Sequence, residues 1–299
     1  MTAASGGPGT VRRRVRLARG PMTIGEPSVV VEPRLAATEP YRPDTVADGG
    51  TAFGLTVRAA SVRGLSKRYT GGPRQDDICL RQHADTGTLI AAVADGVSGA
   101  VRSDLGAALA VRYATAAVAR QLDDGCESVD WGTAFEQAAW ALVEEHRRGS
   151  GDGLAGVDAA AGSLATTLLV AAVRGADVQV AAVGDSPAFL LVGKEYDALV
   201  GSPESVDGLV GGAVESLPRF SGSVAASRRS LEPGAVLLLC TDGVAMPLAG
   251  GTGEVGVALA RELARPPDVV DFARLLDFSR STYDDDRSLI AVWGVGGSS

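Results

Sequence analysis

Four short apolar runs, far apart along this chain, each carry an aspartate at one end, and that placement limits the fold more than any other feature. Asp76 lies just before Ile78-Cys79-Leu80, and Asp95 follows Leu89 to Ala94. Asp242 follows Val236 to Thr241, and Asp285 and Asp286 stand just before Ser288 to Val292. Runs of this length and composition read as buried β-strands. A carboxylate at the end of such a strand sits where the backbone leaves the core, so side chains from several strands can meet on one rim. Taken singly, each has a plain explanation: Asp95-Gly96 and Asp242-Gly243 are good turn dipeptides, and an aspartate beyond a strand is usually a turn former or helix cap. Four such ends in one chain favour a cluster. Clustered carboxylates repel one another and are costly to bury unless a cation neutralises them. An all-oxygen donor set with no nearby His or Cys suits Mg²⁺ or Mn²⁺ rather than zinc. His83 and His146 are expected at the solvated surface.

The remaining pattern places these runs in a layered α+β fold. Phe53, Leu55 and Val57 alternate with small or polar residues, as in a strand with one buried face. Two helices are expected after residue 102. The first is capped by Ser103 or Asp104, with Leu105, Leu109, Arg112 and Tyr113 along one stripe; the second is capped by Asp130, with Phe135, Ala139, Leu142 and Val143 turned inward. A Gly- and Ala-rich loop at 149–162 follows. Strands are then expected at 165–173, 178–183, 188–192 and 236–240, helices at 254–264 and 268–281, and a last strand at 288–293. Strands in quick succession, broken by helix pairs rather than single crossover helices, exclude a regular βαβ plan. Residues 1–52, rich in Gly, Pro, Thr and Ala, read as a flexible N-terminal arm, and 53–296 as the folded domain.

Charge and cysteine usage narrow the function classes. The net charge of −8 argues against a nucleic-acid-binding surface. The first 63 residues carry nine arginines against five acids, so the negative charge resides in the rest. Cys79, Cys126 and Cys240 form no C-x-x-C pair, and a reducing, cytoplasmic setting is expected. No apolar stretch is long enough to span a bilayer. Gly184-Asp185-Ser186 lacks the flanking glycine pattern of a nucleophile elbow and a histidine partner, which disfavours serine-hydrolase chemistry.

At these same residues the sequence resembles the PP2C/PPM family of metal-dependent protein serine/threonine phosphatases. Arg74-Gln75-Asp76-Asp77 is similar to the family's opening Asn-(Glu/Gln)-Asp segment, and Val93 to Gly99 to its second, Asp-Gly motif. Gly162 to Leu168, Val183 to Ala188, Leu239 to Val244 and Asp285 to Leu289 resemble the later motifs in the family's order, over about residues 55–294. Ser98, Arg74, Pro187 and Ser288 depart from the usual Gly, Asn, Arg and Thr. The resemblance implies a four-layer αββα sandwich, two antiparallel sheets flanked by helix pairs, with two Mn²⁺ or Mg²⁺ ions at one rim. It implies Asp95 as the bridging ligand, Asp76 and the Gly96 carbonyl on one ion, and Asp242 with Asp285 on the other; all four aspartates are thereby catalytic. Asp185 corresponds to an auxiliary metal position. Arg68 and Arg74, close to the first ligand, are the candidate phosphate-binding residues. The implied substrate is a phosphoserine or phosphothreonine protein, with a cognate Ser/Thr kinase or its targets as partners. The alternative is a catalytically weak binding or regulatory module of the same fold.

Overall fold

The computed structural model describes residues 22–36, 38–151, 153, 156–201 and 215–294. The elements run β1 (Met22–Thr23), β2 (Thr45–Ala52), β3 (Leu55–Val62), α1 (Leu65–Thr70), β4 (Asp77–His83) and β5 (Thr88–Ala94). Next come the helices α2 (Ser103–Asp123), α3 (Trp131–Ser150) and α4 (Val157–Leu164), then β6 (Leu168–Arg174), β7 (Asp177–Val183), β8 (Ala188–Val192) and β9 (Glu195–Val200). The chain closes with β10 (Ala225–Ser230), β11 (Ala235–Cys240), α5 (Asp242–Leu248), α6 (Glu254–Glu262), α7 (Val269–Leu276), β12 (Phe278–Ser279) and β13 (Arg287–Trp293). One antiparallel sheet has the order β10-β7-β6-β5-β4 and the other β2-β3-β13-β11-β8-β9, with β1 and β12 paired in parallel beside them.

The sheets stack face to face because their strands are apolar on both faces. Leu89, Ala91, Val93, Leu237, Leu239 and Ile290 pack between the sheets. The opposite faces are covered by helices: Ile90, Ala92 and Ala94 meet α2 and α3, while Val236, Leu238 and Ala291 meet α5, α6 and α7. The expected αββα sandwich is the fold. Full burial of Phe135 and Leu142 on α3 contributes about 1.5–3 kcal/mol each.

Several local expectations are corrected. Residues 45–52 are not part of an irregular arm but form β2, an edge strand paired along its length with β3; its glycines and polar residues carry no apolar alternation, and the pairing alone makes it a strand. Residues 22–36 and 38–44 are also held on the domain, whereas 1–21 lie outside the described residues. The loop expected at 149–162 becomes helical from Val157. The helix after Asp268 ends at Leu276, where the chain turns to reach β12. Asp130 caps α3 as expected, accepting from Thr133 N. Ser103 and Asp104 do not cap α2; they lie inside it, after Arg102. The fully buried face of α2 is its alanine-rich one, Ala107, Ala110, Val111 and Ala114, while Leu105, Leu109 and Tyr113 are only partly covered. Small side chains let α2 lie close against both α3 and the sheet. His83 is not at the surface: it is buried, with its ring nitrogens 2.8 Å from Thr86 Oγ1 and from Asp123 Oδ1. Among the described residues no helix is long and apolar enough to cross a membrane.

Candidate active site

Strand register brings the four aspartates to one rim. In the first sheet Asp77 pairs with Ala94, so Asp76 and Asp95 leave adjacent strands side by side. In the second sheet Cys240 pairs with Leu289, so the chain beyond β11 (Asp242) and the chain before β13 (Asp285) emerge at the same end. The two rims are stitched across the interface. Asp76, buried at 1% exposure, accepts hydrogen bonds on Oδ2 from Thr241 Oγ1 and Ser288 Oγ, both 2.8 Å. Ser288 Oγ also lies 2.7 Å from Ser61 Oγ, and with its one proton on Asp76 it accepts there. Serine at 288 therefore supplies the hydroxyl that the resemblance expects from threonine.

Asp286 holds the loops rather than facing the rim. Its two oxygens accept from Gly64 N and Gln75 N, each at 2.6 Å, tying the segment before β13 to the segment before β4. Asp285 Oδ1 accepts from Asp286 N at 2.8 Å, and its side chain is half exposed. Arg287 braces the same loop from beneath, donating to Leu276 O and Phe278 O at 3.1 and 2.7 Å and to Tyr283 O. Close backbone approach demands glycine at two points. A Cβ at Gly243 would lie 1.9 Å from Asp286 O, and one at Gly96 would lie 2.7 Å from Gln75 O. Any side chain at either position would push apart the segments that carry the aspartates.

The electrostatics record the crowding. Burial, then the charge of Asp286, pushes Asp76 up to about 8, although the Thr241 and Ser288 hydroxyls work against the rise. Asp95 is held well above the carboxylate range by burial and then by the charges of Asp76, Asp242 and Asp285. Asp242 is raised by burial, with Asp285 and Asp185 adding to it. The Asp95 and Asp242 carboxyls lie close enough for each to act on the other's proton affinity. Asp185, half-buried in the turn between β7 and β8, thus bears electrostatically on the cluster. Among the described residues, no group of three or more His, Cys, Asp or Glu side chains is already closed around a metal position. By donor chemistry the set fits a hard divalent cation, being all oxygen, mostly buried and in excess of nearby positive charge.

Neither arginine assigned to phosphate is free for it. Arg68 forms a fork on Asp44, at 3.1 and 2.7 Å, and a further pair with Asp277 at 2.7 Å. Arg74 is 1% exposed and lies beneath the rim, donating to Ser61 Oγ at 2.7 Å and to Asp76 O, with Asp77 at 3.6 Å. Both serve as struts. The residue that sequence reasoning missed is Lys67 on α1. Its Nζ lies 3.8 Å from Asp285 Oδ1, making it the one cationic side chain within ion-pair distance of the quartet among the described residues. A cation one residue from Arg68, on a helix too short to show a periodic pattern, gave no signal of which neighbour would face the rim.

Comparison with known proteins bears on the family and the fold. The family profile described as Protein phosphatase 2C matches residues 63–283. No curated protein sequence matches the chain. Among solved structures, the S. agalactiae serine/threonine phosphatase superposes with a TM-score of 0.58 at 16% identity, covering 80% of this chain and 99% of that one. PppA, a key regulatory component of T6SS in Pseudomonas aeruginosa, gives 0.54 at 19% identity, covering 82% and 99%. The catalytic domain of the serine/threonine protein phosphatase PstP, solved in complex with two manganese ions, gives 0.53 at 20% identity, covering 80% and 97%.

Proposed function

Because the chain belongs to the protein phosphatase 2C family of serine/threonine protein phosphatases, we propose that it dephosphorylates phosphoserine and phosphothreonine proteins with two Mn²⁺ or Mg²⁺ ions bound at the aspartate rim. The observation that carries this reading is the gathering of Asp76, Asp95, Asp242 and Asp285 at one end of both sheets with too few side-chain cations to match them. Asp76, Asp95, the Gly96 carbonyl, Asp242 and Asp285 would hold the ions, with Asp185 at an auxiliary position. Bound there, the ions would supply Lewis acidity and a water acidified enough to attack phosphorus near neutral pH.

The chain's own contribution is placement. The Thr241 and Ser288 hydroxyls fix the orientation of Asp76 and leave its other oxygen for a ligand. Asp286 clamps the segments that present Asp76 and Asp285. Lys67 is placed to offset charge on a phosphoryl oxygen entering beside Asp285.

A second reading, a catalytically weak module of the same fold, draws on the motif positions that depart from the family's usual residues, Ser98 and Pro187 among them. One experiment separates the two. Hydrolysis of p-nitrophenyl phosphate and of a phosphothreonine peptide is measured with and without Mn²⁺, using Asp242→Ala as the control. The phosphatase reading expects Mn²⁺-dependent turnover that the variant lacks; equal rates for the two proteins would reject it, and the absence of heat in a millimolar Mn²⁺ titration would favour the module.

A further inference from the structure

The segment before β2 lies outside the 63–283 family match, yet it is strapped along the same side of the molecule as the aspartates. Ile24 N donates to Ser279 O at 3.2 Å and Ser28 Oγ to Arg280 O at 2.6 Å, fixing its start. Arg34 N donates to Arg68 O at 2.8 Å, and the Arg63 guanidinium returns two bonds to Arg34 O at 3.0 Å, fixing its middle on α1. Arg102 Nη2 donates to Glu39 O at 3.2 Å. The strap ends at Arg42, whose side chain is only 10% exposed.

Arg42 joins the two segments that carry the first pair of aspartates. Its Nη1 lies 3.1 Å from Asp77 Oδ2, and its Nε lies 3.8 Å from Asp104 Oδ2. Asp77 is the residue after Asp76 and the first of β4. Asp104 is the second residue of α2, at the far end of the turn that starts from Asp95 and Gly96. Both carboxylates are about nine-tenths buried, and Arg42 is the side chain that bridges them. Its Nε and Nη2 have no hydrogen-bond partner, so charge, not a saturated bonding network, holds the guanidinium in place. Without it, Asp77 would keep only the longer of its two guanidinium contacts, that with Arg74, beside the bond from Ile78 N, and Asp104 would lose a buried counter-ion. Two buried like charges flanking the rim would then pull the segments of Asp76 and Asp95 toward solvent.

We infer that Arg42 is a positioning residue: through Asp77 and Asp104 it sets the spacing between the Asp76 and Asp95 segments, so that the N-terminal strap tunes the rim's affinity for divalent cations. This rests on the phosphatase reading above. Groups that orient metal ligands from behind typically alter affinity by about 10–100-fold when removed.

The test uses the full chain and four proteins: wild type, Arg42→Met, Arg42→Lys and Leu122→Ala. Arg42→Met keeps the buried stem and removes the charge. Arg42→Lys keeps the charge but not the fork. Leu122, buried at the distant end of α2, serves as a control for general destabilisation. Mn²⁺ affinity is read by calorimetry, and kcat and KM on p-nitrophenyl phosphate alongside it. Arg42→Met is expected to weaken Mn²⁺ binding by about tenfold, Arg42→Lys to recover part of that loss, and Leu122→Ala to lower the Tm with Mn²⁺ affinity unchanged. Wild-type Mn²⁺ affinity in Arg42→Met, or an equal loss in Leu122→Ala, would overturn the inference while leaving the phosphatase reading standing. A wild-type chain that takes up no Mn²⁺ would overturn both.

Discussion

Two groups of aspartates neighbour each other in this fold and are treated in opposite ways. Asp44, Asp77, Asp104 and Asp277 each face a guanidinium: Arg63 and Arg68 on Asp44, Arg42 and Arg74 on Asp77, Arg42 on Asp104, Arg68 on Asp277. Among the described residues, Asp76, Asp95, Asp242 and Asp285 have between them one side-chain cation within ion-pair distance, that of Lys67. The contrast is sharpest at adjacent residues, since Asp76 is pushed up to about 8 by burial and like charge while Asp77 sits between two arginines. The paired group behaves as scaffold. The unpaired group costs stability as it stands, and such a cost is retained where binding of a cation offsets it.

That contrast can be broken most directly by removing charge from each side. Asp95→Asn is expected to lower Mn²⁺-dependent hydrolysis on the order of a thousandfold, about 4 kcal/mol of barrier, while raising the Tm of the metal-free protein because a buried repulsion is relieved. Steady-state kinetics and calorimetry on the same sample check both signs; a fall in metal-free Tm would place Asp95 with the scaffold instead. The mirror experiment is Arg74→Ala, which strips a buried strut from Asp77 and the Asp76 carbonyl. It is expected to destabilise the fold by about 3 kcal/mol, read from urea unfolding.

Adding the cation sharpens the comparison without mutation. At a hundredfold excess over its dissociation constant, Mn²⁺ is expected to stabilise the wild type by about 2.7 kcal/mol, with a much smaller gain in Asp242→Ala. Equal thermal shifts in the two would mean that the ion binds elsewhere. The smallest effect concerns the single cation at the rim. Lys67→Met is expected to raise KM for a phosphopeptide by about tenfold, about 1.4 kcal/mol of binding, with little change in kcat. Arg68→Met, one residue on, is expected to leave KM unchanged and to lower the Tm instead.

Much of this architecture was legible beforehand because its signals are local. β5, β6, β7, β11 and β13 are runs of apolar residues buried on both faces, and such runs need no partner to be recognised as strands. The positions of the four aspartates were legible for a similar reason: Asp95, Asp242 and Asp285 flank such runs, and Asp76 stands just before the shorter strand β4. β2 escaped because Thr45–Ala52, with its two adjacent glycines, has no apolar face; it is a strand by virtue of its pairing with β3. α4, within the expected 149–162 loop, was obscured by alanines and glycines, which suit a loop and a tightly packed helix alike.

The sequence by itself determined where strands end and that a carboxylate stands at each of four such ends, because hydrophobic periodicity and turn chemistry act over a few residues. Only the tertiary structure decided which charges are matched. Arg68, Arg74 and Lys67 all lie within a few residues of Asp76, and nothing in their order shows that two are struts and one faces the rim. Asp44 and Asp277, the second about two hundred residues away, make that decision for Arg68, and Ser61 on β3 makes it for Arg74. Coulomb interaction depends on distance in space and on burial, and neither is a property of position along the chain.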